Sequence, residues 1–287
     1  MIVYLNGKFV EEKLAHISIW DAGFLFGEGI FTTLRLYQGV AHDLEAHWNR
    51  LQHQARFLDI PCPLALEETS SITTTLVNQN GLQKTDSRLR ITLTRGGDPD
   101  NPLPVALSSG QPPTILLTIK PLPASIDEMG KKGIAAIILG PEFLRAHYPQ
   151  LKSLNYLPPL LALREARNHG CCEAIVLDEK GLVTEGAASN VFMVKNGQMW
   201  TPANTGNILP GLTRQRVIDI AGQNNLTCIE KELNRDDLEN ADEVFLCNSI
   251  RQIIPVIGLG DTLMGDGLPG PITRQISAWY NTAMHQK

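Results

Sequence analysis

LKSLNYL (Leu151–Leu157) and TEGAASNVF (Thr184–Phe192) are the two stretches on which the reading of this chain turns. In the first, Leu151 and Leu154 flank Lys152 closely enough to imply burial, and a buried lysine needs a partner or a task. An ε-amine in a dry pocket has its pKa lowered, which frees the lone pair to form a Schiff base with an aldehyde. In the second, Glu185 precedes Gly186, and a carboxylate of this kind can keep a heterocyclic nitrogen protonated so that the ring accepts electrons. Alone, the one is a solvated lysine and the other a turn carboxylate; the pair in one chain is the signal.

Around these stretches the chain alternates strand and helix patterns. Apolar runs on either side of Asn6-Gly7 predict a hairpin, since Asn-Gly readily takes the positive φ values of a tight primed turn. Leu44, Trp48, Leu51, Ala55 and Leu58 recur on one face of a helix spanning Asp43–Leu58. Leu89, Ile91 and Leu93, and then ILLTI at 115–119, predict two strands separated by the Gly/Pro/Ser-rich stretch from Gly96 to Pro113. The prolines of 120–125 mark a linker. Beyond it come GIAAIIL, a helix through LLALREARNHG, EAIVL, NVFMV, a helix from Thr213 to Gln223, EVFLC and IIPVI. Continuously apolar strands are those buried on both faces. The expected architecture is two α/β or α+β lobes, residues 1–119 and 126–287, with a small-molecule crevice between them.

Bulk properties narrow the function classes. The 287 residues suffice for two cores, and 43% hydrophobic with 19% charged residues is the composition of a soluble globule. A formal net charge of -5 argues against nucleic acid or an anionic membrane as partner. Five cysteines, two of them adjacent at Cys171–Cys172, do not form a disulfide framework and suit a reducing cytosol. The polar start MIVYLNGKFVEEK and the absence of a long apolar run point to a cytoplasmic protein. There is no Gly-x-Ser-x-Gly elbow, P-loop, HExxH or CxxC, so no metal is expected. His42, His47 and His53 do not share one helix face and read as a solvated surface.

The motifs resemble those of the class IV, or fold type IV, pyridoxal-phosphate enzymes, which include D-amino-acid and branched-chain aminotransferases and aminodeoxychorismate lyases. The likeness runs from the opening hairpin to IIPV. It implies pyridoxal 5'-phosphate as cofactor, Lys152 as the Schiff-base and catalytic lysine, and Glu185 against the pyridine nitrogen. Tyr156 resembles the tyrosine that contacts the ring hydroxyl in branched-chain members, one residue short of the usual spacing, with a core tyrosine as alternative. Asn190 either lies near the ring or holds a turn. For the phosphate the likeness implies Leu212 and Thr213 of ILPGLTR, at a helix N-terminus where N–H groups and dipole favour anions. Ser249 and Ile250 of CNSIRQIIPV join them, together with Arg50 in the pattern His-x-x-Arg-Leu, unless it is an exposed helix arginine.

FGEGIFTTLRLY (26–37) resembles the family's substrate strand, with Phe31 where a tyrosine often sits. TTLR and CNS lean toward a lyase that forms 4-aminobenzoate and pyruvate from 4-amino-4-deoxychorismate, placing the enzyme in folate biosynthesis. The alternative is a transaminase for a D- or branched-chain L-amino acid. TRGGDPDNPLP (94–104) lacks both the Arg-Gly-Tyr of the lyases and the Arg-x-His of well-known D-amino-acid aminotransferases, which leaves Arg95, Arg145 and Arg251 as candidate carboxylate binders. The resemblance also implies a homodimer.

Overall fold

Strands β1 (Ile2–Leu5) and β2 (Lys8–Glu11) pair antiparallel across Asn6-Gly7, whose φ angles of 47° and 88° are the left-handed values a two-residue primed turn requires. They open a computed structural model that describes residues 1–100, 112–145 and 148–285. The chain divides into two compact units, Met1–Pro123 with Leu151–Asn155, and Ala124–Gln150 with Tyr156–Lys287. Of the stretch read between Gly96 and Pro113, residues 101–111 lie outside the described residues.

The first unit continues through α1 (Ala22–Phe26), β3 (Gly29–Leu36), α2 (Leu44–Phe57), α3 (Leu66–Gln79), β4 (Ser87–Thr94) and β5 (Thr114–Pro121). Its sheet has the order β2-β1-β5-β4-β3, antiparallel throughout. The stripe on α2 packs Leu44, Trp48, Leu51 and Ala55 against Ile30 and Leu34 of β3 and the inward residues of β4 and β5. Period-2 alternation then sends Phe31 and Thr33 of β3, and Arg90 and Thr92 of β4, to the opposite face. That face carries the chemistry described below.

β3 is an edge strand, and an open edge presents unpaired N–H and C=O groups. The segment carrying Lys152 covers it: Phe31 N–H donates to the Lys152 carbonyl at 2.9 Å and Leu154 N–H to the Gly29 carbonyl at 2.9 Å. Lys152 therefore groups with the first unit, although its sequence position lies within the 126–287 lobe expected from the sequence. β5 likewise runs into the expected linker as far as Pro121, and α4 (Ser125–Lys132) begins at its last residue.

The second unit adds β6 (Ile134–Leu139), α5 (Leu157–Asn168), β7 (Glu173–Leu177), β8 (Val183–Gly186), β9 (Asn190–Lys195), β10 (Gln198–Pro202), α6 (Leu212–Gln223), β11 (Cys228–Lys231), α7 (Arg235–Glu239), β12 (Glu243–Asn248), β13 (Gln252–Leu259), β14 (Thr262–Leu263) and α8 (Pro271–His285). The sheet order is β11-β10-β9-β12-β13-β6-β7-β8, with β14 on β13. β6 runs parallel to both β7 and β13. The apolar runs of β7, β9 and β12 are buried, as their composition predicts.

α3 and α8 are absent from the sequence reading. α3 is LEETSSITTTLVNQ, rich in residues whose hydroxyls compete for backbone partners. Here Thr69 and Thr73 donate back to the Ala65 and Thr69 carbonyls, at 2.8 and 2.7 Å, satisfying their hydroxyls inside the helix. α8 buries a stripe of Thr273, Ile276, Tyr280 and Met284 at helical spacing.

No helix among the described residues is long and apolar enough to cross a membrane, and none of their His, Cys, Asp and Glu side chains group to hold a metal. Cys171 and Cys247 are buried and Cys172 is exposed. Burial pushes the Cys247 thiol up to about 12 and that of Cys228 up to about 11. Iodoacetamide at pH 8 is therefore expected to label Cys172 in the native protein and to reach Cys247 only in denaturant; mass spectrometry showing native Cys247 labelling would contradict this. An unfolded chain sheds these protons from about pH 9, whereas the fold retains them. Their contribution to stability is thus complete below pH 9 and lost as pH rises through 11 to 12.

Candidate active site

In the first unit, Lys152 is fixed by its backbone. Besides the two strand-like bonds at β3, its N–H donates to Gln54 Oε1 of α2 at 3.3 Å. With the main chain anchored, Nζ stands 4.9 Å from the centroid of the Phe31 ring. The guanidinium carbon of Arg90 lies 3.7 Å from the centroid of the same ring, and Arg90 Nε donates to Thr92 Oγ1 at 3.1 Å. An amine and a guanidinium thus share one buried aromatic ring. Arg90 was not singled out in the sequence; its position two residues along from Arg88 on an alternating strand was the available clue.

On the core side of the sheet, Thr32 joins α2 to β3. Its Oγ1 lies 2.6 Å from His47 Nδ1 and accepts from Arg50 Nη2 at 3.1 Å. Arg50 is accordingly half-buried against the strand rather than an exposed helix arginine. His47 is 2% exposed, which corrects the expectation of a solvated histidine. Sequence missed it because the helical stripe was read from apolar residues alone.

In the second unit, Glu185 ends β8 with 7% of its surface exposed. Oε2 accepts the Leu209 N–H at 3.0 Å, and Oε1 pairs with Arg145 Nη2 at 3.1 Å. Arg145 also lies 5.8 Å from the centroid of the Tyr156 ring, whose hydroxyl donates to the Ala187 carbonyl at 3.5 Å. Tyr156, Arg145 and Glu185 therefore form one cluster. A cavity lined by Arg145, Pro149, Thr184, Glu185, Ala187 and Asn207 adjoins it.

Nearby loops supply an anion cup. The first backbone bond of α6 runs from Gln215 N–H to the Gly211 carbonyl, so the preceding amides, Leu212 and Thr213 among them, open the helix without an intrahelical acceptor. Thr213 Oγ1 lies 3.3 Å from Ser249 Oγ, placing two hydroxyls at that helix end. Ser249 sits in a turn organised by Asn248, whose Oδ1 accepts from the N–H groups of Ile250 at 3.0 Å and Arg251 at 2.7 Å. The Ile250 amide is thus engaged with Asn248, a bond the phosphate assignment did not foresee. Asn248 was itself missed, although an Asn two or three residues before the amides it caps is an Asx-turn signal.

The three arginines read as substrate binders are all tied to carboxylates of their own unit. Arg95 Nε donates to Glu28 at 2.6 Å and its two terminal nitrogens to the carbonyls of Asp59 and Leu58. Arg251 pairs at 2.5 Å with Glu173, which is fully buried. Arg145 holds Glu185. Desolvation drives the Glu173 pKa up against the pull of Arg251. Asn190, read from the sequence as lying near the ring or holding a turn, donates from Nδ2 to the Leu209 carbonyl at 3.0 Å.

Within the second unit, Thr213, Ser249 and the amides of α6 suit a phosphate and Glu185 a protonated ring nitrogen; within the first, the Lys152 amine suits an aldehyde. Arg145 Nε and Nη1 and Ser189 Oγ are buried without hydrogen-bond partners among the described residues, polar capacity beside Glu185 that a polar ligand can use.

Comparison with known proteins agrees. The family model for amino-transferase class IV matches residues 29–259. A putative branched-chain-amino-acid aminotransferase of Methanocaldococcus jannaschii is 37% identical over 279 residues, 96% of this chain and 94% of the relative. A D-alanine aminotransferase of Bacillus licheniformis is 32% identical over 276 residues, covering 96% of this chain and 94% of its own. Among solved structures, a branched-chain aminotransferase from Thermoproteus uzoniensis with norvaline superposes with a TM-score of 0.88 at 29% identity, covering 98% of this chain and 93% of that one.

Proposed function

Because this chain belongs to the class IV aminotransferases, whose cofactor is pyridoxal 5'-phosphate, we propose that it transfers the amino group of an amino acid, foremost a branched-chain L-amino acid, to a 2-oxo acid. The observation that carries this reading is the Phe31 ring with Lys152 Nζ at 4.9 Å and the Arg90 guanidinium at 3.7 Å. It offers a base and a carboxylate-binding cation on one aromatic support, the pair of groups an amino acid requires.

The lyase reading leaned on TTLR and CNS, and five of those seven residues have structural occupations. Thr32 ties Arg50 and His47 to the strand, Leu34 is core, and Arg35 bonds Asp86 at 2.6 Å. Cys247 is core and Asn248 builds a turn. These motifs therefore report the fold more than the reaction, and the relatives above bear transaminase names.

When bound, the cofactor supplies an aldehyde and an electron-accepting ring. Lys152 Nζ holds the aldehyde at rest and acts as the base that takes the proton from the substrate α-carbon. Glu185 keeps a proton on the ring nitrogen. Its position is set by the Leu209 amide, and its charge is balanced by Arg145. In the second unit, Thr213, Ser249 and the α6 amides would take the phosphate, while Tyr156 would serve the ring hydroxyl. Arg90 orients the substrate by a carboxylate, since its planar fork matches two oxygens.

A panel pairing L-leucine, L-valine or D-alanine with 2-oxoglutarate tests the reading. Glutamate formation from L-leucine is expected to exceed that from D-alanine. Pyruvate from aminodeoxychorismate, with no glutamate from any amino acid, would restore the lyase. D-alanine as the better donor would favour the D-amino-acid reading, which the Bacillus licheniformis relative supports. For Arg90→Met, the KM for the acid substrate is expected to rise roughly ten- to hundredfold with little change in kcat, as for loss of uniform binding. An unchanged KM would remove Arg90 from the substrate site.

A homodimer belongs to the same proposal. Leu14, Ile17, Ile19, Phe24 and Phe26 expose between 45% and 73% of their surface within one short stretch of the first unit, an apolar patch suited to a second copy. Light scattering that reads about 32 kDa rather than about twice the 31.6 kDa chain mass would reject it. Cysteines without disulfides suit a cytoplasmic address.

A further inference from the structure

Leu209 is gripped at both of its backbone polar groups. Its N–H donates to Glu185 Oε2 at 3.0 Å, and its carbonyl accepts from Asn190 Nδ2 at 3.0 Å; both bonds are buried. Leu209 stands three residues before Leu212, the first residue of α6. One residue therefore links the carboxylate and Asn190 to the helix end that offers Thr213 and the opening amides. Asn190 is braced from its far side as well. A Cβ at Gly211 would overlap Asn190 Oδ1, so the backbone at the helix entrance closes directly onto the asparagine amide.

A second asparagine repeats the device. Asn248 Nδ2 donates to the Ala188 carbonyl at 3.0 Å while its Oδ1 organises the Ser249 turn. Asn190 and Cys247 are directly opposed across the β9–β12 pair. The loop bearing Glu185 is thus stitched to each phosphate-cup loop by one side-chain amide.

We propose that Asn190 is a positioning residue that fixes the spacing between the Glu185 carboxylate and the N-terminus of α6, so that the ring end and the phosphate end of the cofactor are recognised as one unit. This rests on the assignment of Glu185 to the ring nitrogen and of the α6 N-terminus to the phosphate. Asn190 acts through its bond to Leu209 and its close approach to Gly211. A ligand that spans both ends gains from a fixed distance, because no ordering of the loops is left to be done on binding. A ligand that meets only one end gains nothing from it.

The test is a set of affinities on full-length protein freed of cofactor and reloaded, using pyridoxal 5'-phosphate, pyridoxal and inorganic phosphate as separate probes. Asn190→Asp keeps the size of the side chain but sets a carboxylate oxygen against the Leu209 carbonyl. Gly211→Ala displaces the Asn190 amide from the other side, so the result does not depend on one variant folding. Both are expected to weaken pyridoxal 5'-phosphate about tenfold, the scale of one lost buried hydrogen bond, with pyridoxal and inorganic phosphate binding as in the parent. Asn190→Ser, which retains a hydroxyl donor, should recover part of the loss. If pyridoxal 5'-phosphate binds both variants as it binds the parent, or if one of the single-ended probes weakens as much as the whole cofactor, the spacing role is wrong. Glu185→Gln and Thr213→Ala in the parent separate the two levels: when neither affects pyridoxal 5'-phosphate affinity, the underlying site assignment fails along with the proposal. When they weaken it and the Asn190 and Gly211 variants do not, only the spacing role fails.

Discussion

Lys152→Ala is expected to abolish the visible absorbance of the covalently held cofactor and to lower turnover by roughly four orders of magnitude, as for loss of a covalent anchor and a general base together. The fold should survive. Three bonds made by the backbone of this segment seat it on β3 and α2: the Lys152 carbonyl accepts from the Phe31 N–H, the Lys152 N–H donates to Gln54 Oε1, and the Leu154 N–H donates to the Gly29 carbonyl. Deleting the side chain leaves all three in place. Circular dichroism and melting should therefore match the parent while colour and activity vanish. A variant that is still yellow and still turns over would remove Lys152 from the chemistry and, with it, the function proposed above.

Glu185→Gln is expected to show the second largest effect, and on two observables. Turnover should fall at least about a hundredfold, because an amide cannot balance a protonated ring nitrogen as a carboxylate does. The cofactor-free protein should lose stability as well. Glu185 and Arg145 leave only 9% and 7% of their side chains exposed, so solvent does little to screen the cation that remains. Removing one member of a buried pair costs about 3–5 kcal/mol, most of it the uncompensated partner charge. The substituted side chain keeps a carbonyl oxygen that can still accept the Leu209 N–H, so that the loss isolates the charge. Adding Arg145→Met should return part of the stability but none of the turnover, a non-additivity that a double-mutant cycle measures directly. Full stability in the single variant would mean that Arg145 finds another partner, and unchanged turnover would free Glu185 from any role at the ring.

The linear pattern named candidate residues for the proposed site, and the contacts it left unread share a cause. Lys152, Glu185 and Thr213 stand in dense local motifs whose residue types are demanded by chemistry. Arg145, Arg95 and Arg251 were equally visible as arginines, yet what each does depends on which carboxylate lies across from it: Glu185, Glu28 and Glu173, at sequence separations that no local window spans. Arg90 went unread and His47 was read as solvated for the complementary reason. Each sits on an element whose apolar face was recognised, and the polar residues of such an element gain meaning only from what packs beside them.

The sequence by itself determined the hairpin at Asn6-Gly7, the α2 stripe and the buried strands of the second unit, and it singled out one amine and one carboxylate as candidates. These follow from short-range periodicity, from the backbone preferences of single residues and from functional-group chemistry, all of which are local. Tertiary structure alone decided that Lys152 closes the edge of β3 in the first unit, that a threonine-rich run becomes α3, and that Asn190 grips the Leu209 carbonyl. Edges, buried partners and clamps exist only once distant segments have been brought together, because a hydrogen bond or an ion pair is specified by its two ends and a sequence window contains one of them.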